Sequence, residues 1–249
     1  MTKFNLIENK EIMKKIHSRV FKILDYFVEI CEKNNFVYFL SYGLPLGIFR
    51  ENKIIDWDID IDVDMPIDEF DKLIIYLEKN PHPEYVFTYS GNTTNETFVW
   101  GFIGSNKTEI ITEGNMQNNT KGKIGMDIFP IAKVKNIKES LAMQRFLLSS
   151  TAKWLDLEDF TNLEKWNVRE KIMRMYENTD TNYYASFEPS INKYIFDKNT
   201  IFPLKKIELN GKYYNVVNNL PKYLELIYGS DYMVPKKYDK WIYSIKVDD

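Results

Sequence analysis

The chain has 249 residues, enough for one large domain, with 33 basic and 36 acidic side chains and a net charge of −3. That balance excludes the basic footprint of a duplex binder, and no run of about 18 apolar residues exists to span a membrane. One cysteine, Cys31, excludes an internal disulfide framework and fits a reducing cytoplasm, while two histidines, His17 and His82, leave almost no material for a zinc site or a His-dependent triad. Any chemistry here must therefore be run by carboxylates. Met1 to Lys15 is polar and has no apolar core of the secretory type, so a cytoplasmic protein is expected.

In chain order, Ile12, Ile16, Val20, Ile23, Phe27 and Ile30 recur at spacings of three and four and predict a long amphipathic helix. Cys31 falls on its apolar stripe, where a packed thiol is expected. Asn34-Asn35 ends the helix, and Phe36 to Leu40 reads as a buried strand. Ser41-Tyr42-Gly43 then turns into a short helical segment from Pro45 to Arg50. Trp57 to Asp64 reads as a strand closed by Met65-Pro66, and Asp68 to Lys79 as a helix with Phe70, Leu73, Ile74 and Leu77 inward.

Between residues 84 and 134 the sequence predicts strands at Tyr85–Tyr89, Phe98–Ile103, Glu109–Thr112 and Lys123–Val134, with Gly114 to Gly122 as a loop beside the site. Ile137 to about Asn178 is helical in pattern. Leu204–Leu209, Asn210-Gly211 and Lys212–Val217 carry a strong hairpin signal, and a last helix runs from Pro221 to Tyr228 and stops at Gly229.

The most informative stretch is Trp57-Asp58-Ile59-Asp60-Ile61-Asp62-Val63-Asp64. As a strand it points Trp57, Ile59, Ile61 and Val63 one way and four aspartates the other. Asp forms strands poorly, and like charges about 7 Å apart along one face repel. Either this is a solvated edge face or a hard divalent cation sits there, with Mg²⁺ bringing phosphate chemistry. Asp60 and Asp62, two apart on one face, can share a metal. Asp127 in Gly125-Met126-Asp127-Ile128-Phe129-Pro130 is the candidate third acid, unless it caps a turn. Gly43 and Gly47 flank a strand-to-helix turn whose backbone N–H groups can face an anion. Arg50 offers a planar fork to phosphate, or an ion pair to Glu51 or Asp58.

Tyr38-Phe39-Leu40-Ser41-Tyr42-Gly43 through Gly47-Ile48-Phe49-Arg50, then Trp57-Asp58-Ile59-Asp60-Ile61-Asp62-Val63, resembles the LicD/fukutin family of phosphotransferases. That family reads as an apolar strand, a Gly-Thr/Ser-Leu-Leu-Gly-x-x-Arg turn and a Trp-Asp-Asp-Asp-Ile-Asp-Ile strand. Met126-Asp127-Ile128-Phe129-Pro130 resembles its second acidic block, and Tyr223-Leu224 to Tyr228-Gly229 with Tyr232 to Pro235 resembles its tail, so the likeness runs in order from about residue 20 to 236.

The resemblance implies an α+β fold, a nucleotidyltransferase-like mixed sheet flanked by helices with a helical C-terminal portion. It implies Mg²⁺-dependent (or Mn²⁺-dependent) transfer of phosphocholine or a related phospho-alcohol from CDP-choline or another CDP-alcohol to a glycan hydroxyl, releasing CMP. The acceptor would be a surface glycan such as lipopolysaccharide or teichoic acid, or its lipid-linked precursor. By position Asp60, Asp62 and Asp127 match the metal-binding acids, Gly43 and Arg50 the phosphate-side turn, and Trp57-Asp58 the entry to the acidic strand. The chain departs from the pattern at Leu44, Pro45 and Ile59, the last on the face away from Asp60 and Asp62.

The expectation is thus a single domain over residues 1–249, with its core sheet and acidic site at about 20–135 and a helical part and hairpin at about 136–236. Asp60, Asp62 and Asp127 are the expected catalytic and metal residues, and Gly43, Gly47, Arg50, Trp57 and Asp58 the substrate contacts. No nucleic-acid partner is expected, and membrane association would be peripheral, at the inner face. The alternatives are an NTP-using nucleotidyltransferase and a non-catalytic glycan- or nucleotide-binding relative.

Overall fold

The structure, a computed structural model, describes residues 4–5, 10–93, 99–112, 121–148, 160–188, 191–235 and 242–247. Strand β1 (Phe4–Asn5) precedes the long helix α1 (Lys10–Asn34), whose buried stripe of Met13, Ile16, Val20, Ile23, Leu24, Phe27, Ile30 and Cys31 follows the predicted period. Strand β2 (Phe39–Ser41) and helix α2 (Gly43–Glu51) come next, joined at Tyr42. Strand β3 (Ile61–Pro66) runs directly into helix α3 (Ile67–Lys79), which buries Ile67, Phe70, Leu73, Ile74 and Leu77.

Strands β4 (Tyr85–Thr88), β5 (Gly101–Ser105), β6 (Thr108–Thr112), β7 (Lys121–Gly122) and β8 (Gly125–Val134) follow, then helices α4 (Ile137–Leu148) and α5 (Asn162–Met173). The chain continues through β9 (Tyr183–Ser186), β10 (Phe196–Asp197), α6 (Lys198–Ile201), the hairpin β11 (Lys205–Leu209) and β12 (Lys212–Val216), α7 (Leu220–Tyr228) and β13 (Ile242–Val247). Asn210 and Gly211 adopt φ 54° and 78°, the left-handed pair that a two-residue hairpin turn requires. The architecture is α+β, with seven strands in a mixed sheet. Among the described residues no helix is long and apolar enough to cross a membrane.

Strand β8 organises the sheet. One edge pairs in parallel with β3, from Ile61↔Met126 to Pro66↔Ile131. Its other edge is shared, with β5 along Gly125 to Ile128 and β9 along Ile131 to Val134, both antiparallel. Beyond β3 lies β2, also antiparallel, with Ser41↔Asp62 and Phe39↔Asp64. One face of this sheet carries Ile61, Val63, Met65, Leu40, Met126 and Ile128 into the main core with α1 and α3. The opposite face, on which Phe39 and Ile131 lie, builds a second apolar cluster with Phe196, Ile201, Leu220, Tyr223 and Leu224.

Several expectations change. The acidic stretch is a strand only from Ile61; Trp57 to Asp60 approach it as a turn and open chain. The reason is pairing: Ser41↔Asp62 is the last pair to β2 and Ile61↔Met126 the first to β8, so residues before 61 have no ladder to join. Helix α2 starts two residues before Pro45. The expected loop at Gly114 to Gly122 lies outside the described residues except for Lys121–Gly122, which is β7. The helical reading of 137–178 resolves into α4 and α5, with residues 149–159 outside the described part. Strands β9 and β13, which join the two larger sheets, were not anticipated.

Candidate active site

Parallel register places Asp62 on β3 and Asp127 on β8 side by side, and Asp60 joins them just before β3 begins. One ligand oxygen from each of these three carboxylates lies within 4.8 Å of the others. All three side chains are partly exposed at one end of the sheet. Asp127 is not a turn cap. It sits inside β8 and accepts a hydrogen bond from Trp100 Nε1 at 2.9 Å.

The electrostatics are those of acids crowded without a counter-charge. Burial pushes the Asp62 carboxyl well above the usual range, and Asp60, Asp127, Asp58 and Glu188 add to the rise. Asp127 is pushed up to about 7, by burial first and then by Asp60, with the Trp100 hydrogen bond pulling it back. Asp60 is raised by burial, partly offset by its hydrogen bond with Asp58. A carboxyl–carboxyl hydrogen bond needs one proton retained between the two groups. A divalent cation among these oxygens would remove that need and let the acids ionise together. The hard oxygen donors suit Mg²⁺ or Mn²⁺.

Ser41 supplies an independent sign of a ligand. Its side chain is wholly buried, its hydroxyl has no hydrogen-bond partner, and direct antiparallel pairing sets it on the face of Asp62. Further along that face, Asp64 is also wholly buried and accepts hydrogen bonds from Ser186 Oγ at 2.8 Å and Tyr223 Oη at 3.5 Å. Asp64 is therefore held by the fold rather than turned into the triad.

The turn before the acidic strand is packed by the chain's own groups. A Cβ added to Gly43 would lie 2.2 Å from Asp58 Oδ2, so the missing side chain is filled by the chain's own carboxylate at the start of α2. His17 Nε2 fixes this approach by contacting the Asp58 carbonyl oxygen at 2.9 Å. Gly47 is explained by packing, since a Cβ there would meet the Lys53 carbonyl at 2.5 Å. Of the alternatives for Arg50, the ion pair is present: Nε donates to Glu51 Oε1 at 2.9 Å. Leu44 is buried in the main core, and Ile59 packs against that core. Trp57 is half-buried beside Asp58.

Residues that the sequence did not single out are Trp100, Ser41, Asp64, His17 and Glu188. Only Asp64 left a signal, as the last acid of the alternating run. The others reach the site through pairing and through chain segments distant in sequence.

Comparison with known proteins agrees with this geometry. The LicD/FKTN/FKRP nucleotidyltransferase domain matches residues 35–154, a span that contains α2, β3 and β8 and all three clustered acids. Lipopolysaccharide cholinephosphotransferase LicD of Haemophilus influenzae is 23% identical over 249 aligned positions, covering 88% of this chain and 90% of that protein. With the ordered likeness along the chain and the acids brought together by the sheet, residues 35–154 are similar to the LicD/FKTN/FKRP nucleotidyltransferase domain.

Proposed function

We propose that the protein is a Mg²⁺-dependent phosphotransferase that moves phosphocholine, or a related phospho-alcohol, from a CDP-activated donor to a hydroxyl of a surface glycan or its lipid-linked precursor, releasing CMP. The observation that carries the reading is the set of three carboxylate oxygens within 4.8 Å, from Asp62 and Asp127 on neighbouring strands and Asp60 just before β3, in a stretch similar to the LicD nucleotidyltransferase domain. The cholinephosphotransferase name of the Haemophilus relative supports phosphocholine as the group moved.

Asp60, Asp62 and Asp127 would hold the cation. Bound there, it would neutralise charge on the donor phosphates and on the leaving CMP. Asp127 is the acid best placed to orient the acceptor hydroxyl, because Trp100 fixes one of its oxygens and leaves the other for a proton. Ser41 would donate its unpaired hydroxyl to a donor phosphate oxygen on the Asp62 face. Asp58 would stiffen the Gly43 turn from beside the triad. Arg50 would offer phosphate its Nη2, which completes no hydrogen bond, while Glu51 holds its Nε. Such an enzyme would work in the cytoplasm, peripherally at the inner face of the membrane where lipid-linked glycans are met.

Incubation of the purified chain with Mg²⁺ and a panel of CDP-alcohols, with glycan acceptors and with NTPs, tests the reading. Release of CMP from a CDP-alcohol, abolished by chelation, is the expected result. Pyrophosphate release from an NTP, with CDP-alcohols left intact, would replace it with nucleotidyl transfer.

A further inference from the structure

Asp60 is the one member of the triad that no sheet ladder holds. Asp62 pairs with Ser41 on one side and with Asp127 on the other, whereas β3 begins only at Ile61. A carboxylate on open chain sweeps a wide volume unless its backbone is fixed, and a metal ligand has to be placed within about 0.5 Å. Groups outside the sheet must therefore place Asp60.

The segment that delivers it is held from two helices. Gly43 and Gly47, four apart on α2, share one face of that helix. A Cβ on Gly47 would lie 2.5 Å from the Lys53 carbonyl oxygen and 3.1 Å from Ile55 N, and one on Gly43 would lie 2.2 Å from Asp58 Oδ2. Residues 53–58 thus lie along a helix face from which side chains are missing. From α1, His17 Nε2 meets the Asp58 carbonyl oxygen at 2.9 Å. A carbonyl oxygen only accepts, so this nitrogen carries the proton and donates. Asp58 N donates to the Ile55 carbonyl at 3.0 Å, closing a turn two residues before Asp60. Ile54 and Ile59 also pack into the core, but apolar contact has no direction, whereas the hydrogen bond fixes the Asp58 carbonyl.

We propose that Gly43, Gly47 and His17 form a seat for residues 53–58 and are positioning residues for Asp60 as a metal ligand. On this assignment the two glycines serve the cation through the chain they admit, and a histidine 41 positions before Asp58 sets the geometry of the site. The inference rests on the metal reading of the triad and extends it to the groups that hold its least supported acid.

The test is titration of Mn²⁺, followed by electron paramagnetic resonance, into the metal-free full chain and its His17→Leu, His17→Gln and Gly47→Ala variants. Leu and Gln fill similar space, but only Gln keeps an N–H for the Asp58 carbonyl. His17→Leu should weaken Mn²⁺ binding by about tenfold or more, and His17→Gln should recover most of that loss. Gly47→Ala must displace the Lys53 carbonyl and should weaken binding in the same way. Binding in His17→Leu or Gly47→Ala as tight as in the wild type would overturn the seat. Equal losses in His17→Leu and His17→Gln would also overturn it, by reducing His17 to packing. Absence of saturable Mn²⁺ binding in the wild type would sink the metal reading itself and the seat with it.

Discussion

Two acid-rich clusters in this molecule solve the same electrostatic problem in opposite ways. At the junction of α3 and α5, Arg174 bonds Asp68 at 2.5 Å, Glu170 at 2.7 Å, Glu177 at 2.9 Å and Asp71. There a guanidinium supplies the counter-charge within the fold. At the sheet end, Asp58, Asp60, Asp62 and Asp127 crowd together, and the strongest charged influences on them are one another. The difference teaches how to read an acidic cluster. One built around an arginine is a structural joint. One that stays partly exposed, raises its own carboxyls and includes an unpaired buried hydroxyl has the groups that could hold a cation from outside.

The largest effect that would break this contrast is expected at Asp62. Asp62→Asn should lower turnover by about a thousandfold, since a bound cation contributes several kcal/mol at about 1.4 kcal/mol per tenfold. In metal-free buffer the same variant should melt no lower than wild type, because it removes a repelling charge. Kinetics and melts on one preparation check both, and a variant that is active but unstable would make the acids structural.

Trp100→Phe sharpens the contrast within the site. Losing the indole donor frees the Asp127 carboxylate, so metal affinity should fall about ten- to hundredfold, as for other outer partners of metal ligands. Titration of Mn²⁺ reads this directly, and an unchanged affinity would separate Asp127 from the metal.

The arginine cluster should respond in the opposite sense. Arg174→Met leaves its carboxylates without a counter-charge and should cost about 2 kcal/mol, between exposed and buried ion pairs. Turnover of the folded fraction should not change. Denaturant unfolding and kinetics together measure it.

The smallest effect concerns pH. Asp71 is held up to about 6, because burial and the neighbouring Glu170 outweigh Arg174. A carboxyl whose folded value is raised stabilises most below its unfolded value near 4 and loses that contribution as pH rises through 6. Asp71→Asn should therefore flatten this part of the stability profile by about 1 kcal/mol. Melting curves between pH 4 and 7 show it, and an unchanged slope would assign the pH dependence elsewhere.

Much of this was legible in the sequence because it is periodic. The α1 stripe and the Asn210-Gly211 hairpin are local patterns that appear where their period placed them, and the alternating acids follow theirs as a strand from Ile61 onward. Asp127 was legible as a lone acid in an apolar strand, although only the parallel register with β3 shows why it meets Asp62. What escaped depends on long-range pairing. β9 has no alternation of its own and is a strand because β8 offers it an edge; Glu188 arrives with it. Trp100 reads as core, and only the β5–β8 pairing beside it brings its N–H to Asp127. The Gly43 turn is a simpler case: a glycine shows that something approaches closely, and the sequence alone does not say that Asp58 does.

Titration of Mn²⁺ by electron paramagnetic resonance into the metal-free chain tests the central claim most directly. The account predicts a saturable site from which Mg²⁺ displaces Mn²⁺, lost in Asp62→Asn and in Asp127→Asn and retained in Arg174→Met. Binding of Mn²⁺ to Asp62→Asn and Asp127→Asn as tight as to the wild type would contradict it.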